Sequence, residues 1–406
     1  MSVKERFLNY ISIDTESDEL NEEMQPSSES QWKLARLLEK ELKELGADDV
    51  EVSEHCIVYA HFNATEGLED APAFGCIAHM DTVLKGKNIK PQVIENYDGK
   101  PVTLANGKVL GTEQNPQLAE LKGRTLIVTD GNTILGADDK AGVAAIMNLC
   151  EKLQEGGVSH GKVCVAFTPD EEIGHGVDHF DLAKFGADYA VTVDGGAEWE
   201  IEYENFNAAG VTVKAKGVNT HPGSAKGVMI NSAAILCEYQ NRLPKAEVPE
   251  RTEDKEGFYH LLSIRGDVDE SQAEYLIREF DGEKFEERKA FMTGLGEELN
   301  REWGRDVVLV EIKDSYYNMA KIVEKDPAIL KNIEKAIGST GLTPKYVPIR
   351  GGTDGCRLSF EGLPCPNIGA GGYLFHSIYE HCTVEGMENA TSILAELVKL
   401  YAGLSK

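Results

Sequence analysis

Short apolar runs alternate with helical patterns over the first half of the chain. The runs are rich in β-branched or aromatic residues, mostly end in polar or acidic residues, and cover 73–78, 125–129, 162–168 and 189–193. Helical patterns cover about 31–45 and 141–153. Strands that alternate with helices build parallel sheets covered by helices. This half therefore predicts the α/β class, with a mixed, largely parallel sheet and helices on both faces.

The pattern changes between about 207 and 318. Strands are predicted at Val211–Lys216, Tyr259–Arg265, Glu274–Phe280 and Val307–Ile312, and helices at Ser224–Arg242 and Gly282–Trp303. The order β-α-β-β-α-β is the split-βαβ arrangement of ferredoxin-like α+β domains. We therefore expect a separate domain at 207–318, inserted into the first.

The α/β pattern returns after the insert. A helix is predicted over 326–337, a short strand over 345–348 and a terminal helix over 389–401. Residues 1–206 and 319–406 are thus expected to form one discontinuous domain. A length of 406 residues also favours two domains over one core.

The net charge indicates which kinds of partner are excluded, and the cysteines indicate the compartment. Lysine and arginine number 41 against 69 acidic residues, a net charge of 41 − 69 = −28. Such a surface repels phosphate backbones and anionic lipids, so we expect neither nucleic acid nor membrane as a partner. There is no signal-peptide stretch, and the eight cysteines lack paired spacing. We therefore expect reduced thiols in the cytoplasm.

Candidate chemistry begins where apolar runs end. His79 and Asp81 follow the run at 74–78, and their side chains point to the same side of an extended strand. His79 could bind a metal while Asp81 accepts a hydrogen bond from its other ring nitrogen. Taken alone, the same pattern suits an ordinary surface histidine better.

Acidic residues recur at comparable points. Asp138 and Asp139 stand among small residues before a helix, where one could be a helix cap. Glu171 and Glu172 follow another apolar run, and the alternative there is a solvated turn. In a metal site, one glutamate would bind metal and its neighbour would accept a proton from water.

Two further candidates complete the set. Asp194 ends the run at 191–193, and His376 follows a glycine-rich approach, with His381 close enough in sequence to be confused with it. Imidazole with carboxylate suits zinc, cobalt or manganese better than calcium or copper. Two metal ions roughly 3.5–4 Å apart can activate one water and polarise a carbonyl.

Six motifs together resemble one known family. They are A-H-M-D-T at 78–82, L-G-A-D-D-K-A-G at 135–142, F-T-P-D-E-E-I-G at 167–174, V-D-G-G at 193–196, N-T-H-P-G-S-A-K-G at 219–227 and R-G-G-T-D-G at 350–355. The chain resembles, over essentially its whole length, the dinuclear zinc exopeptidases that include carboxypeptidase G, succinyl-diaminopimelate desuccinylase and dipeptidase V.

The resemblance implies two zinc ions per subunit, with cobalt or manganese as possible substitutes. His79 and Asp194 would hold one ion and Glu172 and His376 the other. Asp138 would bridge them, and the Asp138–Asp139 peptide is expected to be cis. Asp81 would orient His79, and Glu171 would be the general base.

The resemblance also makes the insert a lid and homodimerisation domain. His221 would stabilise the oxyanion, in its own or the partner's site, and Arg278 and Arg350 would bind a substrate carboxylate. From the residues alone, His221 suits a surface loop, and Arg278 suits an exposed strand position equally well. One departure from the family pattern is Ser377, where glycine is expected after His376.

The activity so implied is release of the N-terminal residue from short peptides, chiefly tripeptides, by attack of a metal-bridging hydroxide on the first peptide bond. A dipeptidase or N-acyl amino acid amidohydrolase of the same family stays open as an alternative. A non-catalytic peptide-binding protein is disfavoured, because all five metal ligands and Glu171 are present.

Overall fold

The computed structural model describes residues 1–21 and 23–404, which fall into two compact units. Unit 1 comprises Met1–Tyr203, Met319–Val347 and Thr353–Lys406, and unit 2 comprises Glu204–Asn318 and Pro348–Gly352. Segment 348–352 thus clusters with the insert, because the Ile349 N–H donates to the Glu204 carbonyl and Arg350 hydrogen-bonds to carbonyls around Asp254.

The strands are numbered in chain order. They are β1 Asp48–Val52, β2 Val58–Phe62, β3 Phe74–His79, β4 Gln92–Ile94, β5 Val102–Thr103, β6 Val109–Leu110, β7 Leu126–Val128, β8 Val163–Thr168, β9 Tyr189–Gly195, β10 Glu200–Glu202, β11 Asn207–Lys216, β12 Phe258–Gly266, β13 Glu270–Glu279, β14 Val308–Tyr316, β15 Lys345–Tyr346, β16 Asn367–Gly369, β17 Gly372–Tyr373 and β18 His381–Thr383.

The helices are numbered likewise. They are α1 Val3–Ile11, α2 Gln31–Glu44, α3 Ala137–Gln154, α4 Leu182–Phe185, α5 Ser232–Arg242, α6 Gly282–Trp303, α7 Ala320–Val323, α8 Ala328–Ser339, α9 Asp354–Phe360 and α10 Val384–Ala402. No helix within 1–21 or 23–404 is long and apolar enough to span a bilayer.

The main sheet of unit 1 has eight strands in the order β1-β2-β8-β3-β9-β16-β10-β15. Its four central strands, β8, β3, β9 and β16, run parallel, and β1, β2 and β10 join antiparallel to their inner neighbours. β3 and β8 are buried along their whole length. Helix α3 packs on β3 and β9, while α4 packs on β8 and α9 on β9. The expected α/β class, with a mixed sheet and helices, is confirmed.

Helix α3 comes close to the sheet because of a glycine. A Cβ atom on Gly142 would clash with the Val193 carbonyl oxygen of β9. The α3 N-terminus therefore lies directly against the end of β9, which positions its first residues over the carboxyl edge of the sheet.

Unit 2 has a four-stranded antiparallel sheet in the order β12-β13-β11-β14, with α5 and α6 packed on it. Residues of β13 alternate between exposed or half-buried and buried, as period-two patterning requires. Helix α6 covers the predicted 282–303, because Asp281 caps its N-terminus and Gly304, with a φ of 65°, ends it. The connectivity is ferredoxin-like.

One element of unit 2 differs from its prediction. The helix expected at 224–242 begins only at Ser232, where the Asn231 side chain accepts the Ala234 N–H. Residues Pro222–Ser224 form a separate 3₁₀ turn, and Gly227 has a φ of 75°. A left-handed residue inside the apolar pattern interrupts the helix, which periodicity alone does not reveal.

The core of unit 2 yields a stability prediction. Leu236 is fully buried among residues of β11, β13 and α6. Leu236→Ala should lower the free energy of unfolding by about 2–5 kcal/mol, because it removes buried methyl groups and leaves a cavity. The matched control Leu262→Ala, at a side chain 54% exposed, should change it by less than about 0.5 kcal/mol. Urea denaturation measures both, and equal losses would contradict this assignment of the core.

Candidate metal centre

The centre begins at the buried end of β3. His79 is 2% exposed, and its Nδ1 lies 3.2 Å from Oδ1 of the fully buried Asp81. The two Asp81 oxygens also accept the backbone N–H groups of Glu171 and Glu172, at 3.0 and 3.2 Å. Asp81 therefore lies against the imidazole and holds the turn that carries the two glutamates.

The first residues of α3 supply the next carboxylate. Gly136, with a φ of 72°, precedes a non-helical Asp138, and the Asp138–Asp139 peptide is cis, as expected. The two side chains make different contacts. Asp139 turns back, and its oxygens accept the N–H groups of His79 and Gly142. Asp138 instead faces the imidazoles.

Two imidazoles meet the two oxygens of Asp138. His79 Nε2 lies 2.8 Å from Asp138 Oδ1 and 3.4 Å from Asp194 Oδ1. His376 Nε2 lies 3.0 Å from both Asp138 Oδ2 and Glu172 Oε2. The structure thus brings together His79, Asp138, Glu172, Asp194 and His376.

Burial and crowding set the electrostatics of the centre. Burial and the nearby Asp138 carboxylate raise the pKa of Glu172 to about 8, and burial raises the pKa of Asp194 to about 6. Burial and the Asp194 charge also raise the pKa of Glu171 well above its ordinary value. Hydrogen bonds to Asp138 and Glu172 raise the pKa of His376 to about 10. The carboxylates of the centre repel one another, and the two imidazoles do not offset this repulsion for Glu171, Glu172 and Asp194, whose pKa values stay raised.

The donor set fits bound cations. Candidate ligand atoms of His79, Asp138 and Glu172 lie within 4.8 Å of one another, and so do those of His79, Asp139 and Asp194. Glu172 Oε1 is buried and, among the described residues, has no hydrogen-bond partner. An unsatisfied carboxylate oxygen among repelling acids is what a divalent cation would stabilise.

Three residues named from the sequence lie in unit 2. His221 precedes a 3₁₀ turn and its Nδ1 accepts the Gly223 N–H at 3.1 Å. Arg278 donates to the Ile277 carbonyl and lies over the Tyr316 ring. These contacts are local to unit 2, and the proposed roles of both residues stay predictions.

Arg350, the third, has its guanidinium largely occupied. It donates to the Asp254 carbonyl at 2.6 Å and to Thr252 Oγ1 at 3.1 Å, and it lies over the rings of Phe206 and Phe258. In this conformation Arg350 holds the 348–352 segment against the rest of unit 2. A substrate carboxylate would have to compete for those donors.

The surroundings of His381 distinguish it from the candidate ligand His376. It is fully buried, Asn115 Nδ2 lies 2.9 Å from its Nε2, and its Nδ1 lies 2.8 Å from the Tyr379 carbonyl oxygen. Burial lowers its pKa to about 4, so it is a neutral structural residue. Ser377 donates to the Leu374 carbonyl and accepts the Tyr379 N–H, so its hydroxyl braces the turn that presents His376.

Sequence reasoning missed several supporting carboxylates. Asp170 accepts the Ser27 N–H, the Ser27 hydroxyl and Gln31 Nε2, which anchors the start of the Glu171 turn to the N-terminal segment. Asp354 accepts the Thr168 hydroxyl at 2.6 Å. Asp354 and Asp170 stood inside the quoted motifs, but only their buried contacts distinguish them from surface acids.

Glu380 is the most connected of these. It is fully buried, and its carboxylate accepts the N–H groups of Leu135, Gly136 and Asp138 at 2.6, 3.0 and 3.1 Å. It thereby links the segment of His376 to the loop that presents Asp138. No sequence pattern marked it, because it follows no strand end and belongs to none of the motifs.

Glu380→Gln should destabilise the fold and weaken metal retention. Glutamine offers one acceptor oxygen and turns an amide nitrogen toward N–H donors, so at least one buried hydrogen bond is lost, at about 1–3 kcal/mol. The exposed control Glu388→Gln should change the free energy of unfolding by less than about 0.5 kcal/mol. Urea unfolding and metal content after dialysis are the measurements. Indistinguishable variants would disprove the role of Glu380.

Comparisons with known proteins agree with this architecture. The profile of "Peptidase family M20/M25/M40" matches residues 126–400. Peptidase T of Clostridium perfringens is 48% identical over 403 residues, covering 98% of this chain and 99% of its own. Peptidase T of Caldanaerobacter subterraneus is 49% identical, covering 98% of each.

Solved structures share the fold. The aminopeptidase PepT of Bacillus cereus superposes with a TM-score of 0.77 at 22% identity, covering 98% of each chain. A tripeptidase of Staphylococcus aureus has the same TM-score and identity, covering 99% of this chain and 98% of its own. The chain belongs to peptidase family M20/M25/M40.

Proposed function

We propose that the chain is a metal-dependent aminopeptidase that removes the N-terminal residue from tripeptides. Relatives called peptidase T, 48% identical over nearly the whole length, support the activity. The observation that carries the chemistry is the arrangement around Asp138, whose two oxygens each face a different imidazole at 2.8 and 3.0 Å.

The proposed ligands are assigned to two ions. His79 and Asp194 would hold one and Glu172 and His376 the other, with Asp138 shared between them. The 3.4 Å between His79 and Asp194 and the 3.0 Å between His376 and Glu172 support this pairing. Zinc is the proposed metal, because imidazole and carboxylate are among its usual donors, and cobalt or manganese could replace it.

Bound at this centre, the two metal ions would polarise the scissile carbonyl and make a nearby water more acidic. Glu171 is the proposed general base, which takes a proton from the water on a carboxylate oxygen and returns it to the leaving amine. Asp81 positions this base, because it accepts the backbone N–H of Glu171 at 3.0 Å while facing His79 Nδ1.

Unit 2 is the proposed lid and dimerisation domain. His221 would donate to the developing oxyanion, and Arg278 and Arg350 would bind a substrate carboxylate. A homodimer in the cytoplasm is the proposed state. The free cysteines, among them Cys76 and Cys150, support the reducing compartment but not the dimer, which rests on the family resemblance. Sedimentation that finds only monomer at working concentration would refute the dimer.

The general-base role can be tested directly. Glu171→Gln should lower kcat roughly 10²- to 10⁴-fold, because the amide no longer accepts a proton. Metal content should stay near that of the wild type. The control Glu54→Gln, at a side chain 89% exposed, should keep full activity. Near-normal turnover by Glu171→Gln would refute the mechanism.

The substrate class and the metal can be tested together. Chelated protein should be inactive and regain activity with zinc, cobalt or manganese. On a panel of di-, tri- and tetrapeptides and N-acyl amino acids, followed by mass spectrometry, the restored protein should release the first residue of tripeptides fastest. Preference for dipeptides or N-acyl amino acids would identify a different amidohydrolase of the family.

A further inference from the structure

A row of polar side chains crosses the main sheet beside the candidate metal centre. Thr192 on β9 pairs in register with Asn367 on β16, and Asn367 pairs with Glu202 on β10. The Thr192 hydroxyl bonds to Asn367 Oδ1, and Asn367 Nδ2 donates to Glu202 Oε2 at 3.3 Å. These bonds place all three side chains on one face of the sheet.

The same face leads to the metal centre. Asp194 lies two residues after Thr192 on β9, and side chains two apart on a strand share a face. Neighbouring strands lie about 4.8 Å apart, so the Glu202 backbone is roughly 10 Å from that of β9. The Glu202 carboxyl group thus lies on the face that carries Asp194, close enough for the Asp194 charge to help raise its pKa, and it belongs to neither group of candidate ligands.

Asn367 is oriented to hold a carboxylate. Thr353 Oγ1 donates to Asn367 Oδ1 at 3.1 Å, and the Thr192 hydroxyl reaches the same oxygen. Because both hydroxyls use the amide oxygen, the amide nitrogen is the atom that faces Glu202. Asn367 itself is fully buried, so it fixes Glu202 in place as a hydrogen-bond donor.

Glu202 is half-buried and stands beside other acids. Burial and the charges of Glu200 and Asp194 raise the pKa of Glu202 to about 8. A neutral asparagine satisfies one of its oxygens but does not balance its charge. A cationic group of a ligand would stabilise this carboxylate.

We propose that Glu202 binds the α-ammonium group of the peptide substrate and so selects a free N-terminus. The inference rests on the proposed aminopeptidase function. In such a substrate a single Cα atom separates the ammonium from the scissile carbonyl. A carboxylate that selects the ammonium must therefore lie on the face of the sheet that carries the centre, and Glu202, held by Asn367, lies on that face.

The experiment compares substrates with and without that ammonium. Ala-Ala-Ala and propanoyl-Ala-Ala share one skeleton and differ in the amino group. Glu202→Gln should lower kcat/KM for Ala-Ala-Ala roughly 10- to 100-fold, the usual size of a hydrogen bond to a charged group. Propanoyl-Ala-Ala has no ammonium for Glu202 to bind. Its kcat/KM and its inhibition constant as a competitive inhibitor should therefore each change less than about threefold in Glu202→Gln.

Two further variants complete the design. Glu200→Gln removes a carboxylate from the same strand, one whose oxygen accepts the Ala197 N–H, and should alter both substrates less than about threefold. Glu202→Asp keeps the charge and should retain more of the preference for Ala-Ala-Ala than Glu202→Gln. Metal content and circular dichroism verify that every variant is loaded and folded.

The outcomes separate the two proposals. Wild-type protein without turnover on any peptide would overturn the aminopeptidase function and the role of Glu202 with it. Active wild type with an unchanged preference in Glu202→Gln would overturn the role of Glu202 alone. Equal losses on both substrates, or a Glu202→Asp variant no better than Glu202→Gln, would also overturn it, since either result indicates a structural role.

Discussion

Burial of several carboxylates at the carboxyl ends of the parallel strands of the main sheet is the constraint on which the rest of unit 1 depends. Burial and neighbouring carboxylates raise the pKa of Glu171, Glu172 and Asp194. Hydrogen bonds to His376 and His79 lower the pKa of Asp138. Such a cluster is costly without cations. The fold keeps this cluster together because the backbone that carries each carboxylate is held in place by its own packing and hydrogen bonds.

Backbone N–H groups do much of the positioning. Asp81 accepts two from the Glu171 turn, Glu380 accepts three around the Asp138 loop, and Asp139 accepts those of His79 and Gly142. Because these acceptors are buried, their bonds fix loops that otherwise lack regular structure. The geometry of the candidate metal centre thus rests on a second set of acids, Asp81, Asp139 and Glu380, which accept these backbone hydrogen bonds.

The sheet also extends the site sideways. Candidate ligands come from the ends of β3 and β9, whereas the polar row through Asn367 reaches Glu202 on β10. Carboxyl groups therefore extend from the centre along one face, and a substrate with a cationic end would favour their charged forms. The net charge of the whole chain is −28, but that total does not tell where the acidic groups lie. The position of Glu202 on the same face as Asp194 does.

The sequence by itself determined the α/β class and the ferredoxin-like insert, because strand periodicity is a local feature. Acids and histidines after apolar runs also marked the candidate ligands, which stay predictions. Helix α5 began later than its pattern, since Gly227 in the left-handed region is invisible to periodicity. Only the tertiary structure decided that Asp138 meets both imidazoles, that His381 is a buried structural residue and that Glu380 supports the centre. Those roles depend on contacts between residues more than 200 positions apart, which no local pattern encodes.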